Sequence, residues 1–242
     1  MVNGFPTTRH SLVQALGSDD PAVRLPAFDA LVTSYWKPVY RYLRLRWCLP
    51  DDEAQDLTQE FFTRALQRRF LGDYDGARAR FRTFLRLCLD RFLANQRKAE
   101  ARLKRGGGAR HFSLDFGVAE GGLRAVGALP AVDPEEYFRR EWVRALFEWS
   151  VTRLEERCLA EGREVQLRVF QAYDLDGPER PERLTYEVLG ARFGLSASQV
   201  TNHLAAARRS FRRLVLDRLR EICGSDAEFA AEARDLLGVE PE

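Results

Sequence analysis

Two neighbouring segments of this 242-residue chain carry opposite charges. Residues 51–60, DDEAQDLTQE, contain five carboxylates and no basic residue, whereas residues 78–110 contain eleven lysines and arginines against two carboxylates. The whole chain has a net charge of only +2, so the separation is local. Because charge of a single sign repels itself, the pattern predicts that the acidic segment meets a basic surface and that the basic segment meets phosphates.

Carboxylates at this spacing also suggest a second chemistry, the binding of a metal ion. Asp52, Asp56 and Glu60 would share one face of a helix, like part of the ligand set of a metal-dependent phosphodiesterase. A magnesium site usually gathers carboxylates from several elements, and the sequence offers no other suitable cluster and no histidine at ligand spacing. We therefore expect no catalytic residue, no metal and no cofactor, and an enzyme of this kind is the least favoured alternative.

Composition narrows the class of protein further. The chain is 45% hydrophobic, which is enough to bury a core, and its four cysteines and three histidines are scattered without a zinc-binding pattern. Such cysteine usage is typical of the reducing cytoplasm. The sequence has no run of eighteen apolar residues and no basic start followed by an apolar run. We therefore expect a cytoplasmic protein with no membrane span and no signal peptide.

The segments that position these charges have the periodicity of helices. Apolar residues recur at helical spacing in residues 25–45, where Pro38 is expected to bend or divide the helix. Pro50 opens the acidic helix, and a further helix covers residues 81–105. Three aromatic residues of that helix fall on its inward stripe and are expected in the core: Phe81, Phe84 and Phe92. No stretch alternates like a strand, so the predicted fold class is all-α.

A stretch rich in glycine and proline divides the chain and shows no sustained period. The predicted parts are two helical domains at residues 1–105 and 134–222, a flexible linker at residues 106–133, and a tail helix within residues 223–242. Asp133 and Pro134 mark the start of the second domain, with a capping aspartate and proline at the first helical position. Ser225 and Glu228 form a capping box at the start of the tail helix.

The second domain contains the pattern of a helix-turn-helix. Thr185 caps a short helix, Gly194 supplies the turn, and Ser196 caps a longer helix. In this motif the second helix can enter the major groove of DNA with its N-terminal residues on base edges. The side chains expected to face outward are Ser198, Gln199, Thr201, Asn202, His203, Arg208, Arg209 and Arg212. An αα-hairpin with a solvated basic face is the alternative interpretation of the same spacing.

Three segments resemble one protein family, the bacterial RNA polymerase sigma factors. LTYEVLGARFGLSASQVTNHLAAARRSFRRL resembles their promoter-reading helix-turn-helix, and DDEAQDLTQEFFTRAL resembles their polymerase-docking helix. Between them, FRTFLRLCLDRFLANQRKAEARLKRGGG resembles the helix that melts and reads the minus-ten promoter element. The arrangement is similar to the compact extracytoplasmic-function (ECF) type. The resemblance implies a non-enzymatic sigma factor that binds core RNA polymerase and directs promoter-specific transcription initiation.

The resemblance also implies three groups of site residues. Core polymerase would contact polar groups of the acidic helix, with two apolar side chains near the seam: Asp56, Gln59, Glu60 and Arg64, with Leu57 and Phe61. Minus-ten DNA would contact basic, amide and planar groups suited to an unstacked strand, with a base-capturing loop near residues 89–91: Asp90, Arg91, Asn95, Gln96, Arg97 and Arg102. Minus-thirty-five DNA would contact the eight outward residues of the helix-turn-helix.

Core RNA polymerase and promoter DNA are therefore the expected partners, and an inhibitory anti-sigma protein is a further partner compatible with this type.

Two features depart from the family pattern. Thr201, Asn202 and His203 stand where basic residues are often found, which predicts low DNA affinity or an unusual base choice. Residues 174–183 are longer and more polar than the usual turn. A stand-alone helix-turn-helix transcriptional regulator is the leading alternative, although it leaves the acidic helix and the linker unexplained.

Overall fold

The computed structural model of the protein describes residues 12–100, 112, 114–117, 119, 133–176 and 184–238. These residues form helices and their connections, and none of them lies in a β-strand. The all-α fold class predicted from the apolar spacing is therefore confirmed. No helix within the described residues is long and apolar enough to cross a membrane.

The helices begin and end close to where the sequence predicts. In chain order they are α1 (Leu12–Ala15), α2 (Pro21–Arg46), α3 (Asp51–Arg68), α4 (Phe81–Glu100), α5 (Pro134–Ala160), α6 (Glu164–Phe170), α7 (Tyr186–Phe193), α8 (Ala197–Ile222) and α9 (Asp226–Leu237). The predicted caps at Asp133 and Ser225 are confirmed, because the Glu136 amide donates to Asp133 over 3.2 Å and the Glu228 amide donates to Ser225 over 3.1 Å. The Glu228 carboxylate accepts from the Gly224 amide over 2.8 Å instead of from the Ser225 amide, so the capping box itself does not close. A π-helical turn at Gln171–Leu175 continues α6.

The chain divides into two compact units. The first comprises Met1–Ala145 and Leu219–Glu242, and the second comprises Leu146–Arg218. The boundaries between the units fall inside α5 and α8, and the tail helix α9 belongs to the first unit. Most of the predicted linker, residues 106–133, lies outside the described residues. Its flexibility and the predicted domain ends stay predictions.

Helix α2 runs through the core of the first unit. It is capped by Asp20, whose carboxylate accepts from the Ala22 amide over 2.9 Å. Pro38 lies inside the helix, which continues unbroken to Arg46, so a division at this proline is wrong. Burial of the surrounding face offsets the backbone hydrogen bond that proline removes. The fully buried residues of this face include Leu31, Tyr35, Val39 and Leu43.

Aromatic rings join the other helices of the first unit to this core. The ring of Phe81 lies edge-on to Tyr35 and to Tyr74, with centroids 5.5 and 5.1 Å apart. Phe81 and Phe92 are buried, as their helical spacing predicts. The half-buried Phe84 packs at the edge of the same cluster against Tyr74. Such offset and edge-on ring pairs add to the free energy of area burial.

The second unit buries two smaller apolar clusters, one on each side of α6. Residues of α5, α6 and α8 form the first: Leu154, Cys158, Leu167, Phe170 and Ala207. The π-helical turn, α6, α7 and α8 form the second: Val169, Ala172, Leu189, Val200 and Leu204. The second cluster holds the short helix α7 against α8, which is the packing that a helix-turn-helix requires.

Candidate nucleic-acid interface and acidic docking helix

The acidic helix α3 starts with three carboxylates in its first turn, Asp51, Asp52 and Glu53, where they favour the positive end of the helix dipole. Asp51 accepts a hydrogen bond from the Tyr40 hydroxyl over 2.6 Å, and this bond lowers the pKa of its carboxyl. Asp56 is exposed and forms no ion pair with any residue that the structure describes. Its charge is therefore available to a basic partner.

The two apolar residues expected near a polymerase seam lie inside the first unit. Phe61 is fully buried against the rings of Phe62, Phe70 and Phe92, and Leu57 is 9% exposed. Because truncation of a buried phenylalanine to alanine costs about 3–5 kcal/mol, a Phe61 variant reports on folding before it reports on docking. The two residues position α3, and a polymerase contact through either of them stays a prediction.

Residues predicted for different partners form one polar network between α3 and α4. Arg64 pairs with Glu60 over 2.5 Å and donates to the Gln96 side chain over 3.3 Å, while the Gln96 amide donates to Glu60. Gln59 is occupied elsewhere, because its amide donates to the Phe112 carbonyl over 2.8 Å and accepts from the Phe112 amide over 3.0 Å. Glu60 and Arg64 of α3, bound to Gln96 of α4, hold the two helices in register.

The part of the basic segment whose side chains the structure describes, residues 78–97, has two halves with different surroundings. In its first half the guanidinium groups are neutralised within the first unit, at distances of 2.6 to 3.1 Å. The pairs are Arg80 with Glu232 and Asp235, Arg82 with Glu135 and Glu232, and Arg86 with Asp90 and Glu135. The positive charge offered to phosphates is therefore smaller than the number of arginines in the sequence suggests.

Residues 91–97 of α4 carry the exposed polar side chains of this helix. Arg91, Asn95 and Arg97 are exposed, and the Arg97 guanidinium lies 4.5 Å from the centre of the Trp47 ring. Asp90 accepts from the Tyr42 hydroxyl over 3.0 Å and also pairs with Arg86.

Two of the sequence expectations fall in this segment. Residues 89–91 lie in the middle of α4, so a base-capturing loop at this point is wrong. The apolar stripe continues through Leu89, Phe92 and Leu93, which are buried, and this burial keeps the segment helical. Arg102, also predicted for minus-ten DNA, lies outside the described residues.

Helices α7 and α8 form the predicted helix-turn-helix geometry. The Val188 amide donates to the Thr185 hydroxyl over 3.3 Å, and Gly194 adopts a left-handed φ of 68° at the turn. The sequence did not reveal the role of Gly190, whose amide carbonyl accepts from the Leu195 amide over 2.8 Å. A β-carbon at Gly190 would lie 2.5 Å from the Leu195 carbonyl oxygen, so only glycine allows the two helices this approach.

The N-terminal residues of α8 divide into capping and exposed groups. The Gln199 side chain accepts from the Ser196 amide over 2.8 Å and the Gln199 amide donates to the Ser196 hydroxyl over 3.2 Å, which closes a capping box. The Ser198 hydroxyl contacts Ser196, and the Thr201 hydroxyl donates to the Ala197 carbonyl over 2.9 Å. Three predicted DNA-contacting residues are exposed and form no ion pair or side-chain hydrogen bond within the described part of the chain: Asn202, Arg209 and Arg212.

Arg208 differs from its neighbours because it has an internal partner. Its guanidinium donates two hydrogen bonds to the Asp174 carboxylate, at 2.9 and 2.7 Å, and these bonds raise the pKa of Arg208. The same guanidinium lies 5.6 Å from the centre of the Tyr173 ring. Asp174 begins the polar stretch that departs from the family pattern, and this departure was the only sequence signal for the pair. His203, the remaining predicted residue, is half-buried.

The carboxylates, histidines and cysteines of the described residues contain no group of three or more that could hold a metal ion. The spacing of Asp52, Asp56 and Glu60 therefore has no second set of ligands around it in the part of the chain that the structure covers.

Comparison with known proteins identifies a family for the chain. A family model described as ECF sigma factor matches residues 46–218. The match includes all of α3 to α7 and most of α8, and hence the acidic helix, the basic helix and the helix-turn-helix. No curated protein and no solved structure is significantly similar to the chain.

Proposed function

Because the chain belongs to the ECF sigma factor family, we propose that it binds core RNA polymerase through α3 and directs transcription initiation to promoters that α4 and α8 read. The observation that carries the proposal is the exposed acidic face of α3 beside the exposed polar side chains of α4 at residues 91–97. A sigma factor needs both, since one surface must meet a protein partner while another meets DNA.

The polymerase-binding part of the proposal rests on Asp52 and Asp56. Both carboxylates are exposed and form no ion pair with a residue in the described ranges. Charge complementarity with a basic surface raises the rate of encounter and selects the partner. Leu57 and Phe61 are buried on the core side of α3 and hold this surface in place. Gln59, Glu60 and Arg64 already have hydrogen-bond or ion-pair partners within the first unit, and they would lie at the border of the surface.

The minus-ten part of the proposal rests on the second half of α4. Arg91 and Arg97 supply positive charge for the strand backbone, and Asn95 supplies an amide that can donate to and accept from a base edge. Asp90 and Gln96 are already hydrogen-bonded to Tyr42 and Glu60. They would therefore position Arg91, Asn95 and Arg97, and these three residues would make the direct DNA contacts. The role of Arg102 is part of the same proposal.

The minus-thirty-five part of the proposal rests on α8. Arg209 and Arg212 would contact phosphates, while Asn202 would contact a base edge with Thr201 and His203 beside it. Ser198 and Gln199 cap the helix and would present its N-terminus to the backbone of DNA. Since Arg208 is held by Asp174, we expect few phosphate contacts and weak binding by α8 alone.

Run-off transcription tests the proposal. Purified core polymerase, the full chain and the DNA upstream of its own gene should yield a discrete transcript that core polymerase alone does not give.

Co-purification separates the alternatives, because a sigma factor brings down core polymerase, a stand-alone regulator brings down only DNA, and a phosphodiesterase degrades DNA. An anti-sigma protein, if the cell contains one, would suppress the transcript. We place all these interactions in the cytoplasm, and we propose no enzymatic activity.

A further inference from the structure

A short segment of the predicted linker packs onto the first unit beside the acidic helix. Its described residues are 112, 114–117 and 119, and we call them the Phe112 strap. Residues 116, 117 and 119 are helical, whereas residues 112, 114 and 115 have no regular secondary structure. The contacts of the strap with α2 and α3 are not among the features that the sequence predicts.

The C-terminal end of the strap is firmly attached. Ala119 is fully buried, and its carbonyl accepts a hydrogen bond from Nε of the buried Arg41 over 3.4 Å. The Phe116 ring lies against Trp36 and Tyr40, with centroids 5.4 and 5.1 Å apart. Because release of this end would expose aromatic surface to water, it is the fixed end of the strap.

The other end of the strap is held by a residue of the acidic helix. The Gln59 side chain donates to the Phe112 carbonyl over 2.8 Å and accepts from the Phe112 amide over 3.0 Å. The half-buried Phe112 ring lies 6.1 Å from Phe28 and 6.3 Å from Phe62, between centroids, which is close to the outer limit for ring pairs. Because another partner can replace the two hydrogen bonds at a small net cost, this end is the one that can open.

The contact occupies a group on the helix that carries the proposed docking surface. Gln59 lies on α3 with Asp56, and both its oxygen and its nitrogen are engaged by Phe112. A tethered segment has a high effective concentration at its site, roughly millimolar for a short flexible linker. A partner that needs Gln59 therefore binds only the fraction of molecules in which the strap is open, and its apparent affinity falls by that fraction.

We propose that the Phe112 strap is an autoinhibitory contact, which withholds Gln59 from core RNA polymerase until the polymerase docks on α3 and displaces Phe112. The inference rests on the proposed function, since it takes α3 as the docking helix. Linkage makes the effect reciprocal: a polymerase that binds only the open form also holds the strap open. The strap thus lowers the affinity of the free chain for polymerase.

Fluorescence anisotropy of the labelled full chain with core polymerase tests the contact. Phe112→Ala weakens the strap and should tighten binding about 10-fold, because burial of the ring no longer favours the closed form. The matched control is Phe70→Ala, because Phe70 is also half-buried and packs on α3 through Phe61, with ring centroids 6.0 Å apart. Phe70 is not part of the strap, so its replacement should not tighten binding.

A double variant shows whether Gln59 carries the effect. In the Gln59→Ala background, Phe112→Ala should change the affinity for core polymerase by less than about 2-fold, since the withheld group is then missing whether the strap is open or closed.

Hydrogen exchange gives a second readout that needs no substitution. In the free wild-type chain the Phe112 amide donates to Gln59 and should exchange slowly. With core polymerase bound, the same amide should exchange about 10-fold faster or more. Mass spectrometry of a peptide that contains Phe112 measures this change, and it decides the question even if the Phe112→Ala variant is unstable.

The outcomes separate this inference from the proposed function. If the wild type does not bind core polymerase, the proposed function fails and the autoinhibitory contact fails with it. The inference alone is overturned if the wild type binds but Phe112→Ala binds no more tightly, or if its gain survives in the Gln59→Ala background. Continued protection of the Phe112 amide in the polymerase complex would also overturn it.

Discussion

Arg82 of α4 and Glu232 of α9 form a buried ion pair, with 2.8 Å between Arg82 Nε and Glu232 Oε1, although 150 residues separate them in sequence. Their side chains are 6% and 2% exposed. Arg80 contacts the same carboxylate over 3.1 Å. The pair makes the tail helix a structural component of the first unit. Because Glu232 binds both Arg80 and Arg82, two arginines are removed from the charge available to DNA.

Replacement of Glu232 by alanine should destabilise the first unit by roughly 3 kcal/mol, because it leaves a buried arginine with less compensation. The matched control is Asp235→Ala, which removes the exposed partner of Arg80 and should cost less than about 1 kcal/mol. Urea unfolding of the full chain measures both. Equally small losses of unfolding free energy in the two variants would show that the Arg82–Glu232 pair contributes little to folding.

Gly224 should not tolerate a side chain. A β-carbon there would lie 2.4 Å from the Tyr74 ring, which is held by hydrogen bonds to the Ala79 carbonyl and to Glu228. We expect Gly224→Ala to cost about 1–3 kcal/mol through overpacking. Gly76→Ala is the control, because its β-carbon would meet Tyr74 only at an ordinary 3.5 Å. Thermal unfolding should rank the two variants in that order, and identical melting temperatures would contradict the close fit.

Tyr42 should make stability depend on alkaline pH. Burial, together with the charge of Asp90, raises the pKa of Tyr42 from 10.0 to about 12. The folded state therefore binds this proton more tightly than the unfolded state, and the contribution is complete below pH 10 and is lost as pH rises to about 12. Its size is roughly 2–3 kcal/mol, from about 1.4 kcal/mol for each pKa unit.

Tyr42→Phe removes this titrating group and should reduce the fall in unfolding free energy between pH 10 and pH 12. Urea titrations of wild type and variant across that window supply the comparison. Parallel curves for the two proteins would mean that Tyr42 does not titrate differently in the folded state.

The sequence predicts those features of the fold that depend on residues close together in the chain. The starts of α5, α7 and α9 depend on capping residues within three positions, and the sequence predicted all three. The helix-turn-helix was predicted because Gly194 and the apolar spacing around it are local signals. At Pro38 the sequence predicted a bend or a division of α2, and the division was wrong because packing of α2 in the core outweighs a local preference.

The functional surfaces were harder to predict, since side-chain partners come from distant residues. The sequence could not pair Arg82 with Glu232 or Gln59 with Phe112. The structure buries Phe61 inside the first unit, and its contact with polymerase stays a prediction. The polar stretch at Asp174 was visible, but its role as the partner of Arg208 was not.

Arg208 should contribute to DNA binding only when Asp174 is absent. Asp174→Ala removes the two hydrogen bonds that occupy the guanidinium, so one more cation becomes available to phosphates. We expect tighter binding to random duplex DNA and a salt dependence steeper by about 0.9 logarithmic units, the value for one additional phosphate contact. Binding titrations of the full chain at two salt concentrations measure this change.

The control for this prediction is Arg208→Ala, alone and in the Asp174→Ala background. The substitution should have little effect in the wild type and should cancel the gain in the double variant, whereas Arg209→Ala should weaken binding in both. If Arg208→Ala alone weakens binding as much as Arg209→Ala does, the pair with Asp174 opens readily and does not withhold the charge.

The most direct test of the sigma-factor account is the affinity of the full chain for core RNA polymerase, measured by fluorescence anisotropy for Asp56→Lys and Asp226→Lys. Both variants reverse one exposed carboxylate of the first unit, but only Asp56 lies on α3. Reversal of a charge at a complementary contact should weaken binding by about 10-fold or more. The account predicts this loss for Asp56→Lys and an unchanged affinity for Asp226→Lys. Wild-type affinity in a folded Asp56→Lys variant would contradict the assignment of α3 as the docking helix.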